Sequence, residues 1–203
     1  MTAPTTDPDV LRRLPKVELH CHLEGSVRAS TLVALAQHHG APLPTRDTRA
    51  LYRFADLTGF LAVYEIACAV MRTASDFALV AYEALEDAAM SSNVRYREMF
   101  FNPSLHPGTP YHVMLAGILD GARAAEHDYG IRCRLIPSIY RQLPVASAME
   151  MLDLVVTHRD DRVVGIGMDC DELLDPPEQF AAVYAEAGKA GLHRAAHVAH
   201  DGP

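Results

Sequence analysis

The 203-residue sequence has no basic tract, no apolar run long enough to span a bilayer, no C-x-x-C pair and no glycine-rich phosphate loop, and each absence removes a class of function. Lysine is nearly missing, with Lys16 and Lys189 the only two, and the formal net charge is -8. Binding nucleic acid through its phosphates needs a positive stripe, so no nucleic-acid partner is expected. The longest apolar run, residues 60–71, is too short to cross a membrane and is interrupted by Glu65, so it reads as a buried helix. The opening residues MTAPTTDPDV contain no apolar core of the kind a signal peptide requires. Cys21, Cys68, Cys133 and Cys170 are scattered, which suits reduced thiols in a cytoplasmic protein better than a disulfide frame. With no G-x-G-x-x-G turn behind any strand, nothing marks a dinucleotide site.

What remains is an ordinary globular composition, 49% hydrophobic, in a length suited to one domain with a sizeable core. Residues 1–13 read as a flexible leader that ends in a short turn of helix. A strand follows, closed by Gly25 and Ser26, then a helix over 28–38 and an irregular loop over 40–54. Helical spacing covers 56–71 and 75–90, with Ser75 and Asp76 as candidate caps of the second helix. The period then changes to that of a strand at 94–101, closed by Asn102-Pro103. Helices at 111–127, 145–157 and from Pro176-Pro177 to 190 alternate with strands at 131–136, 162–168 and 192–198. Five strands alternating with helices predict an α/β protein with a parallel sheet. A (β/α)8 TIM-type barrel takes about 250 residues, so the sequence reads as such a barrel apparently truncated after its fifth strand. A doubly wound sheet would also fit the alternation. A part-built barrel would expose an unpaired edge on its fifth strand, which predicts instability or aggregation.

The chemistry concentrates in residues 14–28, LPKVELHCHLEGSVR. On an extended strand Val17, Leu19, Cys21 and Leu23 share one face, and Glu18, His20, His22 and Glu24 the other. Two imidazoles pre-oriented side by side suit a metal ion, zinc above all. On the fifth strand, GLHRAAH, His193 and His197 lie on one face, but only His197 sits at the C-terminal end where barrels gather catalytic groups, so His193 reads as structural. His20, His22 and His197 then supply three ligands and leave a position open, the pattern of a catalytic zinc site. Glu98 reads as a structural ion-pair partner, Phe54, Phe60 and Tyr64 as helix packing, and Cys170 as a small loop side chain rather than a nucleophile.

LPKVELHCHLEGSVR resembles the opening motif of the adenosine and adenine deaminase family, zinc-dependent purine aminohydrolases on a (β/α)8 barrel. MRTASDFALVAYEALEDAA and VRYREMFFNP are similar to the family's second-strand region, and VVGIGMD with PPEQFAAVYAEAGKAGLHRAAH to its fourth and fifth units. The resemblance implies one zinc on His20, His22 and His197. It implies a small-molecule purine nucleoside or base as partner, contacted by His22 and Glu24 and approached by the loop carrying Cys170. The reaction implied is hydrolytic removal of the C6 amine as ammonia, leaving the 6-oxo purine.

Two departures stand against that pattern. The family motif close to H-A-G-E puts a glutamate three residues after the fifth-strand histidine, as general acid; here His200 occupies that position. In the loop after the fourth strand, MDCDE replaces the usual glycine-containing turn. The later strands, with a water-orienting histidine, a zinc-completing aspartate and a purine-binding aspartate, are not found. A catalytically inactive remnant serving as a binding or assembly module is therefore a second reading. Another H-x-H metal-dependent hydrolase is a third, although the lysine it would need on a middle strand is not found.

Overall fold

The computed structural model describes residues 7–55, 57–170 and 176–197. Its five strands are parallel and lie in sequence order: β1 (Lys16–His22), β2 (Val94–Phe101), β3 (Arg132–Tyr140), β4 (Gly165–Asp169) and β5 (His193–Arg194). Helix α1 (Pro8–Arg13) precedes the sheet, and α2 (Ala29–His38), α3 (Leu57–Val70) and α4 (Ala74–Ser92) join β1 to β2. The later crossovers are α5 (Tyr111–Tyr129), α6 (Val145–Thr157) and α7 (Ala181–Lys189). This is the arrangement of the first five strands of a (β/α)8-type barrel. Among the described residues no helix is long and apolar enough to cross a membrane.

Each element follows from its sequence. All five residues of β4, GIGMD, are buried, as a strand covered on both faces requires. Phe77 and Ile118 from the helices meet Phe101, Leu135 and Ile166 from the strands in one core. Helix α5 lies close against α4 because Gly117 and Gly121 carry no side chain: a Cβ at either would fall within 3.0 Å of the Ala74 or Ala78 backbone. At the sheet's edge β1 leaves Val17 65% and Leu19 57% exposed.

Several expectations are corrected. The short turn of helix expected at 10–13 is present and starts two residues earlier, at Pro8; Asp7 caps it, and Asn93 Nδ2 donates to Arg13 O at 2.6 Å. Helix α4 begins one residue before Ser75, because Thr73 is its N-cap and Asp76 the third residue of a reciprocal capping box. Strand β3 runs through Pro137 to Tyr140 rather than stopping at Ile136. The missing N–H falls in a gap of the β3–β4 ladder, between the Leu135–Val163 bridge and the Ser138–Gly167 pair. Strand β4 starts at Gly165, with residue 163 reaching β3 only through that bridge. Strand β5 is regular over two residues only, yet His193, Ala195 and His197 each donate their N–H to β4 or to the residue just before it, at 2.9–3.0 Å.

Candidate metal centre

His20 and His22, on the last three residues of β1, turn their Nε2 atoms toward the same point, 3.2 Å apart. His197, just beyond β5, brings a third Nε2 to 2.7 Å from His20 and 2.8 Å from His22. Phe100 on β2 supports both β1 rings, with centroids at 5.1 Å from His20 and 5.5 Å from His22. That ring has room only because position 167 is glycine, where a Cβ would meet it within 3.0 Å.

Three ring nitrogens at such separations cannot all be satisfied by one another, since a neutral imidazole nitrogen either donates one hydrogen or offers one lone pair. A cation at their centre resolves the conflict. With Zn–N near 2.0–2.1 Å, tetrahedral ligands lie about 3.3 Å apart, so the triangle fits a zinc ion after opening by about half an ångström. Burial holds the His22 pKa below its usual value, with the charge of His20 acting the same way and Glu24 opposing, which favours the neutral, ligating form. The donor set therefore fits the metal.

Behind this triangle lie five buried polar groups, Glu24, Asn102, Arg141 and Asp169 at or just after strand ends and His106 in the loop beyond β2. Asp169, which closes β4, accepts from Asn102 Nδ2 at 2.8 Å, and its other oxygen lies 3.7 Å from His22 Nδ1. Burial, reinforced by the charge of Glu24, raises the Asp169 pKa to about 7. Glu24 is 1% exposed and lies in a 3-10 turn rather than on the strand. Its Oε1 accepts from the Asn102 N–H at 2.8 Å and pairs with His106 Nε2 at 3.1 Å, while the Tyr64 hydroxyl donates to Oε2 at 3.5 Å. Both ring nitrogens of His106 face acceptors, Nδ1 lying 2.9 Å from Cys68 O and Nε2 3.1 Å from Glu24 Oε1. Burial alone would raise the Glu24 pKa, but His106 and the Asn102 N–H hold it below the usual carboxylate range. Arg141, just past β3, is 1% exposed, and its Nη2 donates to His197 O at 3.0 Å.

A cavity of about 180 Å³ opens beside Glu24, lined by Tyr52, Phe54, Phe60, Val63 and Tyr64. Phe54, Phe60 and Tyr64, expected to serve helix packing, line this space, Phe60 meeting Phe54 edge to face and Tyr64 at a tilt. Glu98 accepts from the Tyr96 hydroxyl at 2.8 Å rather than from a cation; the nearby buried Arg97 pairs with Glu18. His193 is exposed at the start of β5. Cys170 follows β4 with φ 74°, a left-handed conformation that favours glycine, which is where the usual glycine-containing turn would sit. Its thiol points to Asp169 Oδ1 at 3.5 Å, and burial, with the neighbouring Asp169 charge, raises its pKa, so it is no thiolate nucleophile. His200 and the Asp171–Glu172 part of the loop lie outside the described residues.

The structure thus brings His20, His22 and His197 together and sets Glu24 behind them. Asn102, His106, Arg141 and Asp169 were not anticipated as site residues. For Asn102, Arg141 and Asp169 the available signal was a place at or just past the C-terminal end of a strand, where a barrel gathers its functional groups.

Comparison with known proteins agrees with this geometry. The family model described as adenosine deaminase matches residues 15–203. The chain is 37% identical over 208 residues to the adenine deaminase of Cupriavidus necator, covering all of this chain and 59% of that protein. An amidohydrolase from Burkholderia ambifaria, solved with bound zinc, superposes with a TM-score of 0.86 at 41% identity, over 94% of this chain and 53% of that one. The adenine deaminase of Arthrobacter aurescens superposes at 0.84 with 34% identity, over 92% of this chain and 58% of that one. The chain therefore spans about three-fifths of the length of the curated relatives it matches. It belongs to the adenosine deaminase family.

Proposed function

We propose that residues 1–203 form one barrel domain, incomplete by comparison with its relatives, that carries the metal-binding part of a cytoplasmic, zinc-dependent aminopurine deaminase. The observation that carries this reading is the convergence of the His20, His22 and His197 Nε2 atoms within 3.2 Å of one another. A zinc ion there supplies a Lewis acid with an open coordination position for hydrolysis of the purine C6 amine. The chain's own residues do the rest of the work on this side of the site. His20 and His22 hold the metal from one rigid strand, and His197 closes the triangle. The aromatic cavity beside Glu24 receives the planar ring and keeps water from it. Cys170 follows Asp169 at the end of β4, on the loop expected to approach the purine.

Among aminopurines the free base adenine is the substrate favoured. Glu24, which would contact a sugar, has its oxygens taken by Asn102, His106 and Tyr64, so it shapes the pocket and offers little to a ribose hydroxyl. The adenine deaminase relatives support the same choice.

Metal content tests the first part. Equilibrium dialysis of the 203-residue chain is expected to give one zinc per chain, lost in each of the His20→Ala, His22→Ala and His197→Ala variants; no zinc between pH 6 and 8 overturns the reading. Turnover is asked of this chain fused to the remaining C-terminal part of the Cupriavidus necator enzyme, with ammonia release from adenine expected to exceed that from adenosine.

His200 favours a second reading, a metal-binding remnant without turnover. Beside a dication the protonated form of an imidazole is disfavoured, so a histidine there has no proton to give as general acid. If the fusion binds zinc but releases ammonia only after His200→Glu, the remnant reading holds.

A further inference from the structure

We propose that Arg141 is a positioning residue for the metal centre, fixing the backbone of His197 so that the third imidazole reaches the other two. The inference rests on the zinc reading above.

His20 and His22 come from one strand, and their relation to each other is set by that strand. His197 arrives 175 residues after His22, on a segment whose regular strand has already ended at Arg194. How well it is held decides whether a three-ligand site exists. Its N–H is pinned, donating to Met168 O at 2.9 Å. A parallel ladder would next have the residue 170 N–H donate to His197 O. Strand β4 stops at Asp169, however, and Cys170 turns off at φ 74°, so among the described backbone hydrogen bonds that rung is not formed. Arg141 reaches across from the end of β3 and supplies it, Nη2 donating to His197 O at 3.0 Å.

The arginine is an expensive way to do so, which is the second part of the argument. It is 1% exposed, and its Nε and Nη1 have no hydrogen-bond partner among the described residues. Among those residues no carboxylate forms a salt bridge with it. A buried cation without a carboxylate partner is destabilising compared with an apolar side chain of similar volume, so for packing among the described residues methionine would serve better. Its charge also opposes a dication nearby. What Arg141 contributes is therefore geometric: a donor of the right reach, on a rigid strand end, at the carbonyl of the ligand residue.

Cobalt(II), whose visible absorption reports coordination geometry, is the probe, titrated into the 203-residue chain. Arg141→Met is expected to weaken cobalt affinity about 10- to 100-fold, the usual cost of losing a group that orients a metal ligand. The absorption bands should change as well, while the metal-free chain keeps its far-UV circular dichroism. Arg141→Lys, which keeps one donor, is expected to recover affinity to within about tenfold of wild type. Equal affinity and an unchanged spectrum in Arg141→Met overturn the inference while leaving the zinc reading intact; a wild-type chain that binds no cobalt overturns both. Should Arg141→Met not fold, arginine-labelled wild-type chain gives the answer by NMR. The Arg141 Nη–H signals are then expected to shift and exchange more slowly when zinc is added, and signals indifferent to zinc overturn the proposal.

Discussion

At the scale of single residues, the buried pair of Glu24 and His106 shows how far one side chain's state depends on another. Both side chains are fully enclosed, so neither group has water to fall back on. Replacing His106 by Phe leaves the carboxylate with the Asn102 N–H and a long contact to Tyr64, and removing one member of such a pair costs about 3–5 kcal/mol. Adding Glu24→Gln to that variant removes the stranded charge. The double variant is therefore expected to be more stable than the sum of the single losses by about 0.5–3 kcal/mol, measured by urea denaturation. Strict additivity would mean that the two side chains are not coupled. Such pairs are hard to see in a sequence, because 82 residues separate the partners and nothing in their spacing joins them. His20 and His22 were legible for the opposite reason, being two residues apart on a strand whose parity fixes their common side. Asp169 and Arg141 were hidden in the same way as His106, each standing at or just past a strand end that reads only as a boundary.

Between elements, close approach and capping govern α4 and α5. Gly117→Ala raises intrinsic helix propensity by about 1 kcal/mol. It nevertheless places a Cβ within 3.0 Å of the Ala74 carbonyl, and backbone cannot step aside as a flexible side chain can. The expected result is a net loss of about 1–3 kcal/mol, the usual cost of overpacking, with Gly121→Ala behaving alike. Gly188→Ala in α7 is the control: its Cβ meets the end of the Arg194 side chain at 3.3 Å, which can move, so stability is expected to rise by up to about 1 kcal/mol. Thermal melts of the three variants decide the matter, and three shifts of one sign would refute it. At the same N-terminal end of α4, Asp76 accepts from the Arg72 and Thr73 N–H groups and pairs with His39. Burial would raise its pKa, but these hydrogen bonds together hold it below the usual value. A carboxyl depressed in the folded state adds stability that is full above its unfolded pKa, near 3.9, and is lost as pH falls through the lower folded value. Asp76→Asn is therefore expected to cost about 1–2 kcal/mol at pH 6 and progressively less below about pH 4. Periodicity found these helices to within a residue or two at most ends, yet chose Ser75 over Thr73 as a cap, because a capping box is recognised by a reciprocal contact rather than by residue type alone. The fifth strand, read as 192–198, is regular over His193–Arg194 only, because alternation in a sequence does not report how far a full ladder is formed; beyond Arg194 only the N–H groups of Ala195 and His197 still donate to β4.

Across the whole molecule the two edge strands of the sheet carry the site between them. β1 contributes His20 and His22, and the segment after β5 contributes His197, so the sheet curls until its opposite edges face one metal position. Among the described strands each edge has a neighbour on one side only, and a row of backbone N–H and C=O groups is available to another chain. On β1 that edge is also apolar. Val17 and Leu19 are 65% and 57% exposed, and Leu14, just before the strand, is 50% exposed. An edge both unpaired and hydrophobic associates with whatever apolar partner is present, and for a purified sample of these 203 residues the partner at hand is a second copy. Sedimentation velocity is thus expected to show association that grows with protein concentration. Charge placed on the edge should suppress it, since lysine at an edge strand opposes pairing. Val17→Lys with Leu19→Lys is expected to shift the distribution toward monomer without loss of zinc, because neither side chain belongs to the histidine triangle. If the wild-type chain stays monomeric at every concentration, the exposed face of β1 is not adhesive. If the double variant associates as strongly as wild type, contact occurs elsewhere on the molecule.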